Sequence, residues 1–121
     1  MQKLKKTNIY LTSLIQTLKI ESQKHKAPIW RELAKRLEKP NKNWSEVNIS
    51  HIKRYANKNE TIVIPGKLLG AGYINIPVTV AAFQSSLNAK EKINNAGGKV
   101  ISIQDLLKKN PNGTGIRIFS R

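Results

Sequence analysis

The sequence predicts a mixed α/β fold, with N-terminal helices followed by short strands that alternate with helices around a small sheet. Three observations carry this expectation. Apolar residues recur at helical spacing through the first forty positions. From Thr61 onward the texture shifts to short β-branched runs. Between those runs lie helix caps and stops in the order that a strand–helix alternation requires.

The elements follow in chain order. Met1 to Lys6 reads as a basic arm of about residues 1–7 preceding a single domain 1–121. Thr7 or Asn8 can cap a first helix, in which Leu11, Leu14, Ile15 and Leu18 form one apolar stripe. The run from Glu21 to Lys26 is polar and reads as helix end and connection. Pro28 suits the first turn of a second helix, because its missing N–H is an orphan there anyway. Trp30, Leu33, Ala34 and Leu37 face inward, and Pro40 ends the helix by pushing the preceding residue out of the α region. Pro40 to Trp44 reads as a polar loop. A short helix is expected to start near Ser45 or Asn48, with Ile49, Ile52 and Ala56 on its apolar side.

Thr61-Ile62-Val63-Ile64 reads as a strand ended by a Pro65-Gly66 turn, and Val78 to Ala82 as a second strand. Ser86 can cap a helix that carries Leu87, Lys90, Ile93 and Ala96 and stops at Gly97-Gly98. Val100-Ile101 is a short strand. Ser102-Ile103-Gln104-Asp105 resembles a capping box with Asp in place of Glu. Pro111 to Gly115 is a turn before a last strand, Ile116 to Phe119.

Charge bounds the function. The 121 residues carry 22 Lys+Arg against 7 Asp+Glu, a formal net charge of +15. Residues 1–59 hold 14 Lys/Arg and 4 acids, net +10; residues 60–121 hold 8 and 3, net +5. A charge of this size repels itself in the compact state unless a polyanion neutralises it, so nucleic acid and an anionic membrane surface are the candidate partners. Most of the apolar residues are used by the stripes above, which leaves no apolar face for lipid. Lysine dominates, and it suits point contact with phosphate more than bidentate reading of guanine. Cys is absent, so disulfides and thiolate metal sites are excluded. No apolar run approaches the ~18 residues of a membrane span, and the N-terminus lacks a signal-peptide h-region. The expectation is a small, intracellular, nucleic-acid-binding protein.

Candidate contacts fall into groups. Arg31, Lys35, Arg36 and Lys39 lie largely off the apolar stripe of the second helix and read as a phosphate-facing surface. His51, Lys53 and Arg54 form a second basic cluster. Lys3, Lys5 and Lys6 either thread along RNA or form a solubilising tail. Lys42, Arg117 and Arg121 extend the footprint. Trp30 reads as core. Trp44, between Asn43 and Ser45, either stacks on an unpaired base or makes a packing contact. Pro65-Gly66-Lys67-Leu68-Leu69-Gly70-Ala71-Gly72-Tyr73 places three glycines after a strand. Gly66, Gly70 and Gly72 can present backbone N–H groups to a phosphate beside Lys67, or form a plain turn. Tyr73 is placed to meet a ribose or base. The order of residues fits neither the Gly-x-x-x-x-Gly-Lys-[Ser/Thr] phosphate loop nor the dinucleotide fingerprint. His25 and His51 lack a third ligand at a suggestive spacing, and one Asp with six Glu offers no convergent acid pair. No enzyme, metal, cofactor or small-molecule substrate is expected.

The stretch Pro65 to Gly72, then Val78-Thr79-Val80-Ala81-Ala82, then Ser86 with Ala89, Ile93 and Gly97, resembles the archaeal "eighteen-e" family of large-subunit ribosomal proteins. Its eukaryotic counterpart is ribosomal protein eighteen and its bacterial relative ribosomal protein fifteen. Lys6-Thr7-Asn8, Trp30 with Leu33-Ala34, Leu37 to Pro40, Glu46-Val47-Asn48 and Arg54-Tyr55-Ala56 are similar to the family too, so the resemblance spans nearly the whole chain. Ser85 departs from it, since relatives usually carry an apolar residue there. The long glycine- and arginine-rich arm of bacterial relatives is replaced by a short basic one. The resemblance implies an irregular superhelical arrangement of short strands and helices. It also implies a structural role in the cytoplasmic ribosome, with large-subunit ribosomal RNA and neighbouring large-subunit proteins as partners. The alternative is a non-ribosomal nucleic-acid-binding protein associated with chromatin or transfer RNA.

Overall fold

The computed structural model describes residues 9–40 and 44–119. Its elements run α1 (Ile9–His25), α2 (Pro28–Leu37), β1 (Ser45–Asn48), α3 (Ile49–Tyr55), β2 (Thr61–Leu69), β3 (Thr79–Ser85), α4 (Leu87–Asn95), β4 (Lys99–Ser102), α5 (Ile103–Lys109) and β5 (Ile116–Ile118). The mixed α/β expectation holds. The proposed arm and the caps Thr7 and Asn8 lie outside the described residues.

All five strands pair in parallel, in the order β1-β2-β3-β4, with β5 also on β2. Strand β2 is the centre. Its first half, Thr61 to Val63, pairs with β5, and its second half, Gly66 to Leu69, pairs with β1. Alternation along the strands divides the interior in two. Val63 and Ala81 point to a cluster with Leu14 and Leu18 of α1, Trp30, Leu33 and Leu37 of α2, and Leu106 of α5. Ile62, Ile64, Val80 and Ala82 point to a second cluster with Ile49 and Ile52 of α3 and Ala89 and Ile93 of α4. The sheet is thus covered on both faces, as parallel sheets require.

Several elements form where local chemistry directs. Helix α2 starts at Pro28 and buries Trp30, Leu33, Ala34 and Leu37. The Ser86 hydroxyl accepts from the Ala89 amide at 3.1 Å and starts α4. The helix ends in a Schellman motif: Gly98 N–H reaches Ile93 O and Gly97 N–H reaches Asn94 O, both at 3.0 Å. Gly97 takes the left-handed conformation that this motif needs, φ 90°. Ser102 accepts from the Asp105 amide at 3.0 Å and starts α5.

Five expectations change. Helix α1 runs on to His25, and Ser22 continues its buried line after Leu14 and Leu18. The Ser22 hydroxyl is satisfied by donating to Ala27 O at 2.9 Å, which lets a polar residue stay inside. Ser45 to Asn48 is a strand whose pairing partner lies twenty-one residues away, so no local pattern announces it; of the two expected helix starts Asn48 holds, as the N-cap of α3, though without a side-chain capping hydrogen bond. Strand β2 does not stop at Pro65-Gly66 but passes through them with a register shift toward β3 between Ile64 and Lys67. Such an irregularity is where a strand tolerates proline. In α4 the inward residues are Ala89 and Ile93, while Leu87 is 72% exposed. Trp44 is part of the core and not of a polar loop.

The β2–β3 connection, residues 70–78, positions the site. Thr79 lies beside Thr61, so the chain must return along nearly the whole length of β2. That distance is about 26 Å at the strand rise of ~3.3 Å per residue, and a segment of this length covers it only when almost fully extended. A helix cannot fit, although parallel crossovers commonly use one. The segment instead runs alongside α4, with Ile74 and Val78 buried.

Candidate nucleic-acid interface

Arg31 and Lys35 are exposed one turn apart on α2, about 6 Å along its axis, and Lys39 is exposed just past the end of the helix, which stops at Leu37. Arg36 differs: its Nε donates to Glu32 Oε2 at 2.8 Å, one turn back. That hydrogen bond, aided by Lys35 and Lys39, holds the Glu32 carboxyl below the usual carboxylate range. Lys19 of α1 pairs with Glu38 at 2.6 Å. The acids near α2 are therefore taken up by Arg36 and Lys19, and the Arg31–Lys35–Lys39 line carries no ion pair among the described residues.

The second cluster lies across the sheet, on α3. Lys53 and Arg54 are exposed, and the half-buried His51 ring sits 5.1 Å from the Tyr55 ring. The Arg54 guanidinium lies 6.0 Å from that same ring. Arg117 of β5 reaches this end of α3, donating to Tyr55 O at 2.6 Å. Its guanidinium also engages Glu60, with Nε 2.9 Å from Oε2 and Nη2 3.0 Å from Oε1, and lies 4.9 Å from the Phe119 ring centre. Arg117 thus ties β5 to α3 and the start of β2.

The glycine stretch divides at Leu69. Gly66 is buried within β2, where a Cβ would sit 2.2 Å from Ser45 O of the neighbouring β1. Its smallness serves strand pairing, and a buried backbone between two strands offers no cradle. Lys67 alternates outward on the same strand, level with Glu46 on β1 and Gln84 on β3. The turn proper is Gly70 to Gly72. Lys92 of α4 donates to Gly70 O and Gly72 O, both at 2.7 Å. The Ala71 amide donates to Asn48 Oδ1 at 3.3 Å, and Ala71 O accepts from the Ser50 amide at 3.1 Å. Gly72 has φ 107°, and a Cβ there would meet Ser50 at 2.5 Å. The turn is therefore pinned between α3 and α4. Tyr73 leaves it 65% exposed.

Trp44 corrects the stacking alternative. Its ring is only 8% exposed and packs edge-on to Phe83 with centroids 5.1 Å apart. Its Nε1 donates to Leu37 O at 3.3 Å and Lys39 O at 3.0 Å, closing the C-terminal end of α2. A ring so placed has no free face for a base. Trp30 is fully buried, and its Nε1 donates to Pro111 O at 2.8 Å. Ser85 sits half-buried in β3 opposite Leu68 of β2. Lys3, Lys5, Lys6, Lys42 and Arg121 lie outside the described residues. Sequence reasoning missed Asn48, Ser50 and Lys92 as the residues that shape the turn. Each acts across more than twenty positions or from a neighbouring helix, and only the parallel topology reveals the contact.

Among the described residues, no group of three His, Asp or Glu side chains could hold a metal ion, and no helix is long and apolar enough to cross a membrane. Fold and surface together define a small α/β protein with cations on both outer layers and a pinned glycine turn between them. The chain belongs to the family described as ribosomal protein 60S L18 and 50S L18e, whose model matches residues 1–120. This is a family of ribosomal structural proteins, not of enzymes. The chain is 52% identical over 114 residues to the large ribosomal subunit protein eL18 of Methanoregula boonei, covering 94% of each chain. It is 49% identical to the eL18 protein of Archaeoglobus fulgidus, covering 96% of this chain and 99% of that one. Against the eL18 protein of Methanococcus maripaludis it is 47% identical, covering 99% and 100%.

Proposed function

We propose that this chain is a structural constituent of the large ribosomal subunit, and that it binds and stabilises large-subunit ribosomal RNA through its basic helices and glycine turn. Within the family frame, the observation that carries the RNA-contact reading is the line of exposed cations formed by Arg31 and Lys35 on α2 and Lys39 just past its end, none of which makes an ion pair among the described residues. Such a line contacts a phosphate backbone by charge and position rather than by reading bases. Lys53, Arg54 and His51 on α3 form the second contact, with Lys67 and the Gly70–Gly72 turn between. Lys3, Lys5, Lys6, Lys42 and Arg121 join the footprint on their charge. Trp44 and Gly66 support it from inside, and Arg117 holds α3 in place. The work is done by neutralising phosphates and fixing RNA segments against a rigid sheet. Neighbouring large-subunit proteins and residence in the cytoplasmic ribosome follow from the same reading.

The test is the salt dependence of binding to transcribed large-subunit RNA. Arg31, Lys35, Lys39, Lys53 and Arg54 by themselves contribute about −4 to the slope of log K against log salt, and the other lysines of the footprint make it steeper. Replacing Arg31, Lys35 and Lys39 by Gln should reduce that slope by about 2 to 3. A flat salt response would refute the reading. Endogenous protein that leaves large subunits in a moderate salt wash and sediments with chromatin or transfer RNA would move it to another ribonucleic or chromosomal partner.

A further inference from the structure

Between the extended 70–78 segment and α4 lies an open cleft of about 430 Å³, lined by Tyr73, Ile74, Asn75, Lys92, Asn95 and Ala96. Its volume falls in the range, roughly 300–1,000 Å³, that holds small organic ligands. The lining has one aromatic ring, two amides and one cation, and no acid. Tyr73 is the most exposed tyrosine among the described residues. Neither the Asn75 nor the Asn95 side chain has a hydrogen-bond partner among the described residues. Lys92 spends two of its three N–H groups on Gly70 O and Gly72 O, which leaves the third for the cleft.

From this juxtaposition we infer that the cleft seats a single unpaired nucleotide of the bound RNA. The inference rests on the RNA-binding reading above. The base stacks on Tyr73, an interaction every base can make because every base has a π face. The Asn75 and Asn95 amides, each with a donor pair and an acceptor, hydrogen-bond its edge. The remaining Lys92 N–H faces the sugar–phosphate side. A duplex cannot deliver a base into such a cleft, so the ligand is a loop, bulge or strand end. The seat is preformed. Asn48, Ser50 and Lys92 hold the turn that presents Tyr73, so little ordering is left to occur on binding. Lys92 is accordingly a positioning residue for Tyr73 as well as a lining one.

The experiment uses the full chain and transcribed large-subunit RNA. Zero-length ultraviolet cross-linking followed by mass spectrometry should place a nucleotide adduct on Tyr73. Tyr73→Leu should weaken binding about five- to a hundred-fold, the range of one base–aromatic stack, with the salt slope unchanged. Tyr73→Phe should keep wild-type affinity. Because Tyr73 is exposed, both variants should melt with the wild type. Wild-type affinity in Tyr73→Leu, or an adduct that never falls on residues 73–75 or 95, would overturn the nucleotide seat. The steep salt slope of the wild type would still stand in that case. A wild-type protein without salt-dependent RNA binding would instead remove the functional reading on which the seat rests.

Discussion

Replacing Gly66 by Ala separates a structural glycine from an RNA-contacting one. Gly66 sits opposite Ser45 in the parallel β1–β2 pair. An added Cβ would lie 2.2 Å from Ser45 O, 3.0 Å from its N and 3.1 Å from its carbonyl carbon. All three are backbone atoms, so no rotamer change relieves the contact. Restoring ordinary separation requires β1 to move away by about 1 Å, and β1 has only four residues, flanked by the buried Trp44 and Ile49. Overpacking typically costs ~1–3 kcal/mol, and one weakened ladder hydrogen bond adds about 1 kcal/mol, which puts the loss near 3 kcal/mol. For 121 residues the unfolding entropy is about 0.25 kcal/mol/K, so the melting temperature should fall by about 12 °C. The assay is thermal unfolding by circular dichroism, with RNA affinity measured well below the transition. The expected result is a large loss of melting temperature with nearly unchanged affinity. Wild-type melting with weakened RNA binding would refute the reasoning and return Gly66 to the RNA surface.

Two further outcomes follow from the geometry. Trp44→Ala removes a buried ring and leaves Leu37 O and Lys39 O without their indole donor, so it should destabilise by about 3–5 kcal/mol, read by denaturant unfolding, with no change in RNA affinity while folded. Glu32 should titrate below an ordinary glutamate by carboxyl-carbon NMR because Arg36 donates to it. Its contribution is then present above the unfolded-chain value and lost as pH falls through the lower folded one, and Arg36→Ala should raise the titration toward the ordinary range, with Lys35 and Lys39 keeping a smaller part of the lowering.

The α3 cluster and the turn show why the interface was only partly legible in the sequence. Cations on α2 were legible because helical spacing places the apolar residues Trp30, Leu33, Ala34 and Leu37 on one side, which leaves Arg31 and Lys35 outside, with Lys39 exposed just past the helix end. Arg117 was legible as a cation but not as a tether, since its partner Glu60 is far along the chain. Lys92 carries no local signal that sets it apart from the other lysines of the chain. Its two contacts to the turn exist because α4 packs beside an extended crossover.

By itself the sequence determined what local chemistry controls. The extent of α2, the Ser86 and Ser102 caps and the glycine stop after α4 follow from residues within a few positions of one another, while the family and the weight of charge are read along the whole chain without reference to its folding. Tertiary structure decided the rest. Strand β1, the passage of β2 through Pro65-Gly66, the burial of Trp44 and the clamp on Gly70–Gly72 depend on segments that are distant in sequence. Parallel pairing is nonlocal, and a four-residue strand carries too little pattern to declare itself. Its partner supplies the hydrogen bonds, and the partner's position is known only once the chain has folded.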